Sequence, residues 1–510
     1  MDKSSLSVTS QEIAAIELNA EYLGVSSSCL MENAGCAVAS QISSRFGADQ
    51  TRVVILAGTG GKGGDGMVAA RHLAGHGFKV SLVLVGRPEQ FRREEVKRNW
   101  AVLQLLVDSV SISVADDSSL IPAIEGEVIV DALLGTGFRG QLKPPFTQAV
   151  AAINKASGFK LSIDLPTGVD PDTGAVLGDA VKANLTVTFH KPKRGVLRAS
   201  AYTGEIVVAS IGIPPEAENH IGPGDVLLVS RERPRDARKG DFGRLLVIGG
   251  SKQFHGAPTL AAMAAMRTGV DLVYVAVPEA VAHDVAAASP ALIVVKLHGS
   301  ILTRNSLDDL NPFLSRCSAV VLGPGLGILP ETKEAVLKVV EMVEDKGIPL
   351  LLDADGLKAF AEFKQPTKCP LVLTPHRGEY ELLSNERLPE TLVEQVRHIE
   401  STARKLKAVL LVKGPIDFVS DGVRTKLNRY VHNPAMTVGG TGDVLSGIVG
   451  GLLSQGFDPF RSAAAGTFIN GAAGDFAYKE RGNHLLPDDL VDWIPKVMNS
   501  PMSHISVRHL

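Results

Sequence analysis

Small, unhindered backbone stands beside a carboxylate in Gly439-Gly-Thr-Gly-Asp443, which runs directly into Val444-Leu-Ser-Gly-Ile-Val-Gly-Gly-Leu-Leu453. Leu445, Ile448, Val449, Leu452 and Leu453 recur at the spacing of a buried helical stripe, so Gly439, Gly440, Thr441 and Gly442 are predicted at a helix N-terminus. Orphan N–H groups there, backed by the positive end of the helix dipole, suit a phosphate or an oxyanion, and glycine lets the ligand come close. Asp443 beside such an anion is poorly placed unless it takes a proton, for instance from an attacking hydroxyl. A capping role would also account for an Asp at that point.

The first half carries a second glycine loop, Gly58-Thr-Gly-Gly-Lys-Gly-Gly-Asp-Gly66, after an apolar strand at 52–57 and before a helix expected at 67–75. Gly58, Gly60 and Gly63 satisfy GxGxxG, which brings a nicotinamide oxidoreductase into consideration. The next strand, however, ends Val85-Gly-Arg87 without the acidic residue that such a site uses on ribose, although Arg87 would suit a 2′-phosphate. Asp65 would stand where a pyrophosphate lies. Two later strands also end in acids, at Asp131 and Asp164, and in an open parallel sheet such strand ends face one crevice. Carboxylates gathered there would bind a cation or carry a proton.

These residues need a scaffold of alternating strands and helices. Residues 10–47 read as two helices, and strand-like runs follow at 52–57, 79–85, 128–134, 160–165, 185–189 and 205–211. Mostly apolar strands separated by helices predict a doubly wound parallel sheet. The rhythm lapses between Ile213 and Lys239, where Arg231-Glu-Arg-Pro-Arg-Asp-Ala-Arg-Lys239 reads as a charged connector, and the domain boundary is expected near residue 228, giving domains 1–228 and 229–510. A fresh series of strands follows at 244–248, 272–277, 292–296, 319–322, 349–352, 371–373 and 409–412.

At 510 residues, 45% hydrophobic and 21% charged, the chain is long enough for two ordinary globular cores. A net charge of −3 gives no electrostatic reason to expect nucleic acid or an anionic membrane as a partner. Four scattered cysteines without CxxC spacing read as reduced thiols, and no apolar run reaches the roughly 18 residues of a membrane span, so a cytoplasmic location is expected.

The glycine loop, Val130-Asp-Ala-Leu-Leu-Gly-Thr-Gly137, Ile163-Asp-Leu-Pro-Thr-Gly-Val-Asp170 and Met31-Glu-Asn-Ala-Gly35 resemble the signatures of the NAD(P)H-hydrate epimerase family. Lys239-Gly-Asp-Phe-Gly243, Gly256-Ala-Pro258, Gly323-Pro-Gly-Leu-Gly327, Thr374-Pro-His-Arg-Gly-Glu379, Lys413-Gly414 and Gly439–Asp443 resemble the ADP-dependent NAD(P)H-hydrate dehydratase family. The resemblance implies a Rossmann-like doubly wound α/β/α sandwich followed by a ribokinase-like α/β domain. It also implies nicotinamide nucleotide repair: the R and S hydrates of NADH and NADPH are interconverted, and the S form is dehydrated with phosphoryl transfer from ADP, releasing AMP and phosphate.

Carried over residue by residue, the likeness gives substrate contacts to Gly61, Lys62, Gly63, Gly64, Asp65, Gly135, Thr136, Gly137, Phe138, Arg139, Gly140 and Gln141. It makes Asp164 the acid/base and puts a potassium ion on Asp131 and Thr167. In the second half it gives substrate contacts to Ala257, Gly325, His376 and the catalytic Asp443, and nucleotide contacts to Lys413, Gly414, Pro415, Ile416, Asp417 and Gly439–Gly442, with Mg2+ accompanying ADP. A homo-oligomer is expected. Lys62 departs from the family, which has Asn there as a potassium ligand, so the lysine ammonium is expected to supply part of that charge. Arg377 stands where relatives commonly have Pro. The alternative reading is a ribokinase-like vitamin kinase fused to a non-catalytic Rossmann-like binding domain.

Overall fold

The computed structural model describes residues 7–363 and 365–508. The chain divides at Pro214/Pro215 into two units, each built on its own sheet. In the first, β1 (Arg52–Ala57), β2 (Lys79–Val85), β3 (Val110–Ala115), β4 (Val128–Ala132), β5 (Phe159–Ile163), β6 (Leu185–Phe189) and β7 (Glu205–Ala209) form one sheet in the order β3-β2-β1-β4-β5-β6-β7. Every neighbouring pair is parallel. Such a sheet is buried on both faces, so β4 and β6 are buried at every position, Asp131 and the two threonines of β6 included, and β1 at every position after Arg52.

In the second unit, β8 (Arg244–Ile248), β9 (Leu272–Pro278), β10 (Ile293–Leu297), β11 (Ala319–Leu322), β12 (Leu350–Leu352), β13 (Leu371–Leu373) and β14 (Val409–Val412) repeat that order, as β10-β9-β8-β11-β12-β13-β14. An antiparallel hairpin of β15 (Asp417–Ser420) and β16 (Thr425–Asn428) extends the edge beyond β14. The doubly wound architecture expected of both halves is therefore present. In each sheet the direction of winding reverses beside the first strand, between β1 and β4 and between β8 and β11. A crevice opens at such a reversal, over the carboxyl ends of the strands.

Four expectations need correction. The helix after the glycine loop begins at Gly61, not at 67, and runs to Gly75. Its early glycines are retained against helix propensity because neighbours press on them: a Cβ at Gly63 would lie 1.8 Å from the Gly58 carbonyl oxygen. Strand β3 was not foreseen; serines interrupt its apolar pattern and it is an edge strand with several exposed residues. The β15/β16 hairpin was likewise unforeseen, its Asp421-Gly422 turn standing between two short polar strands. Finally, residues 215–228 go with the second unit. Ile221 N–H donates to Leu427 O at 2.8 Å, and buried Asp225 accepts from Lys426 Nζ at 2.6 Å. The charged connector at 231–239 is irregular, as expected, but lies within that unit.

Candidate active sites

In the first unit a cavity of about 810 Å³ lies over the ends of β1, β4 and β5. Gly61, Lys62 and Asp65 line it from the start of the helix Gly61–Gly75, and Gly135, Thr136, Gly137, Phe138 and Arg139 from the loop after β4. Asp164 lines it from the end of β5. Gly63 and Gly64 face inward instead, against Gly58 and Met31, and Gly140 and Gln141 are exposed and outside the cavity wall. Arg139 is tied to Asp172 at 2.9 Å and to the carbonyls of Thr136 and Phe138, which fixes the loop.

Asp164 is held in an unusual posture. Its φ is +63°, a left-handed conformation that costs energy for a residue with a Cβ and is found mostly where function demands it. Its carboxylate accepts from Lys193 Nζ, from Thr188 Oγ1 at 3.2 Å and from the Phe189 N–H at 3.4 Å. Lys193 is buried at the end of the β6 loop and faces the same cavity. Further carboxyls line the wall, Asp65 and Glu17 among them. Burial, then the charges of Asp164 and Glu17, push Asp65 well above the usual carboxylate range, and burial likewise raises Glu17 on the helix Ser10–Tyr22. Carboxyls whose charged form is disfavoured by burial thus face an ion-paired carboxylate across one cavity, an arrangement suited to proton exchange.

Asp131 lies beneath this wall, 1% exposed. It accepts from Ser162 Oγ at 2.9 Å, from Thr167 N–H at 2.8 Å, from Thr167 Oγ1 at 2.6 Å, from Leu133 N–H at 3.2 Å and from Lys62 Nζ at 2.9 Å. The three aspartates therefore separate: Asp65, on the helix Gly61–Gly75, and Asp164 face the cavity, and Asp131 holds its floor.

In the second unit, the helix Thr441–Ser454 is buried along its length from Val444, including the expected stripe, and it starts at Gly440 with φ +107°. Asp443 is in its first turn. Burial, then the nearby Asp353 charge, raise the Asp443 carboxyl to about 7. Asp353, at the end of β12, accepts from Lys413 Nζ at 2.9 Å, from Thr374 Oγ1 at 2.8 Å and from Ser446 Oγ at 2.6 Å. Burial would raise Asp353, but the Lys413 ammonium and the two hydroxyls outweigh it and hold it ionised. For Lys413 burial acts downward, and Asp353 more than compensates. A Cβ at Gly442 would lie 3.5 Å from Lys413 Nζ, so the ammonium stands at the helix N-terminus beside Asp443. A donor cradle, a cation and a carboxyl that titrates near neutrality meet there.

The remaining expected residues lie on the same strand-end edge, with varied roles. Gly325 follows β11 with φ +69° and sits against the Phe254 carbonyl. Ala257 is in the first turn of the helix Gly256–Arg267. His376 caps the helix Arg377–Ser384: its Nδ1 accepts from Gly378 N–H at 3.1 Å and Glu379 N–H at 3.3 Å, leaving an exposed ring edge. Gly414, Pro415 and Ile416 form the turn after Lys413. The Asp417 carboxylate faces inward, accepting from Thr467 Oγ1, Asn428 Nδ2 and Gly414 N–H, so it braces that turn rather than reaching out of it.

Asp353, Lys193, Glu17 and Ser446 were missed. Asp353 had the same signal as Asp131 and Asp164, an acid closing an apolar strand. The other three had none, since their partners lie far away in sequence.

The model of the family described as NAD(P)H-hydrate dehydratase matches residues 245–496, and that of the YjeF-related protein N-terminus matches 27–195. A protein of Hyperthermus butylicus named bifunctional NAD(P)H-hydrate repair enzyme Nnr is 43% identical over 502 residues, covering 97% of this chain and 93% of its own. The chain belongs to the bifunctional NAD(P)H-hydrate repair enzymes. A Pyrobaculum aerophilum protein of that name is 43% identical over 500 residues, 96% of this chain and 98% of its own. A Bacillus subtilis ADP/ATP-dependent NAD(P)H-hydrate dehydratase, co-crystallised with ATP/Mg2+, is 25% identical over 55% of this chain and 98% of its own, with a TM-score of 0.47. The match to the YjeF-related N-terminus falls within the first unit and the match to the dehydratase model within the second.

Proposed function

We propose that the cavity of the first unit interconverts the R and S hydrates of NADH and NADPH, and that the second unit dehydrates the S form with ADP. The Asp443 carboxyl, raised to about 7 at the N-terminus of the helix Thr441–Ser454 and beside Lys413, carries this reading. Hydroxide leaves a ring carbon poorly; phosphate leaves readily. Asp443 takes the proton of the ring hydroxyl as its oxygen attacks the β-phosphorus of ADP, and AMP departs as the P–O bond to it breaks. Loss of the new phosphate ester as inorganic phosphate, with a ring proton, restores the dihydropyridine. The N–H groups of the glycine turn and Lys413 stabilise the transferring phosphoryl group.

Among the described residues no cluster of three or more His, Cys, Asp or Glu side chains offers a dedicated divalent-metal cage. Magnesium would therefore be held chiefly by the nucleotide's own phosphates, where it neutralises their charge. In the first unit, Asp164 exchanges a proton with the hydroxyl-bearing end of the hydrate, and Lys193, paired with that carboxylate, orients it.

Separate R and S hydrates, each given ADP or ATP, test both halves. Recovery of the reduced-nicotinamide absorbance with release of inorganic phosphate is expected, and a stable phosphoester would support the kinase reading instead. Asp443→Ala should lower dehydration by on the order of 10²- to 10⁴-fold while epimerisation continues. Unchanged dehydration in that variant would refute the assignment.

A further inference from the structure

The resemblance implies a potassium ion on Asp131 and Thr167, and what stands between those residues decides whether it fits. Lys62 rises from the first turn of the helix Gly61–Gly75 with its side chain 3% exposed. Its Nζ lies 2.9 Å from Asp131 Oδ2, 3.1 Å from Thr167 Oγ1, 2.7 Å from the Leu165 carbonyl oxygen and 3.3 Å from that of Leu134. A carboxylate, a hydroxyl and two peptide carbonyls converging on one point form the hard-oxygen environment that suits an alkali or alkaline-earth ion. The ammonium holds that point, and a second cation sharing the same oxygens would be repelled at close range. These residues do not fit potassium.

We propose that the Lys62 ammonium is the resident cation of the first site and that this unit works without potassium. All four of its neighbours present oxygen acceptors, so a neutral amine would turn a lone pair toward oxygen, whereas the ammonium gives each of its three protons an acceptor. Burial draws the lysine below its ordinary range and the Asp131 carboxylate acts against that.

The cage also explains what such a charge does. Its oxygens come from the end of β4 and the loops after β4 and β5, and Lys62 itself from the first turn of the helix after β1, so one ammonium ties together three of the segments that line the cavity. Leu165 immediately follows Asp164, the residue held at φ +63°. Gripping the Leu165 carbonyl fixes the direction of the Asp164 carboxylate, so Lys62 acts as a positioning residue.

Two readouts on the full-length protein test this, one of which does not depend on the first unit being an epimerase. With ionic strength held by choline chloride, interconversion of the separated R and S hydrates should vary by less than about twofold between choline and potassium salts, the range left to general screening. The melting temperature should be equally indifferent to the cation. Lys62→Asn replaces the charge with an amide oxygen. In choline its interconversion should fall on the order of a hundredfold, then recover as potassium is added, with a potassium-specific rise in melting temperature.

A wild-type rate that climbs roughly tenfold with potassium, beyond what screening gives, would overturn the proposal. So would a potassium-specific rise in wild-type melting temperature, or full activity of Lys62→Asn in choline. Absence of interconversion in every salt would instead sink the epimerase reading, and the melting comparison would still decide the cation. Should Lys62→Asn not fold, the wild-type titration alone decides.

Discussion

In the proposed reaction Asp443 acts as a base near neutrality, and burial together with the Asp353 charge brings its carboxyl to about 7. Dehydration should therefore rise with pH through about 7 and level off above it, as read from kcat/KM with the S hydrate at saturating ADP. The same displacement bears on stability. A carboxyl raised in the folded state favours folding most below its unfolded pKa of about 4, and that contribution is lost as pH climbs to about 7. Asp443→Asn, neutral throughout, should then gain melting temperature over wild type at pH 8 relative to pH 5. Lys413 answers to a different cost. Lys413→Met would leave Asp353 ionised and buried without its partner, and should destabilise the protein by about 3 kcal/mol in denaturant unfolding. Asp353→Asn in the same chain should recover much of that loss.

The N-terminus of the helix Thr441–Ser454 depends on one backbone angle. At Gly440, φ is +107°, and an added Cβ would lie 2.8 Å from Pro487 Cγ and 2.9 Å from Leu260 Cδ1. Gly440→Ala should cost more than about 1 kcal/mol and raise KM for the nucleotide, measured by thermal melting and initial rates. This element was legible in the sequence because its signals are local: a glycine turn, an acid and an apolar period. The strand ends bearing Asp131 and Asp164 were legible for the same reason. The helical start at Gly61 was not, since glycine argues against a helix and the close approach of Gly63 to the Gly58 carbonyl leaves no trace in a local pattern. Strand β3 and the β15/β16 hairpin lack the long apolar runs of the central strands. Lys193 and Asp164 are joined only once β5 and β6 pair, so nothing near either residue announces the other.

The boundary between the units is a matter of which sheet completes which segment. Residues 215–228 contribute fully buried Ile221 and Val226, the Ile221–Leu427 backbone bond and the Asp225–Lys426 pair to the second unit. A fragment beginning at 215 should keep dehydration and a cooperative melt. One beginning at 229 should melt lower and leave Lys426 without its carboxylate, a difference that calorimetry of the two would measure.

The Lys62 cage has a counterpart in time. Its partners follow it by 69 to 105 residues, and none exists when the lysine leaves the ribosome. Until Thr167 has been synthesised and its loop has docked, the ammonium lacks its full set of oxygen partners. The first site is therefore assembled only once the chain has passed Thr167, by the closing of a whole sheet rather than by any local step, and a chain released before that point carries the glycine loop without a working pocket.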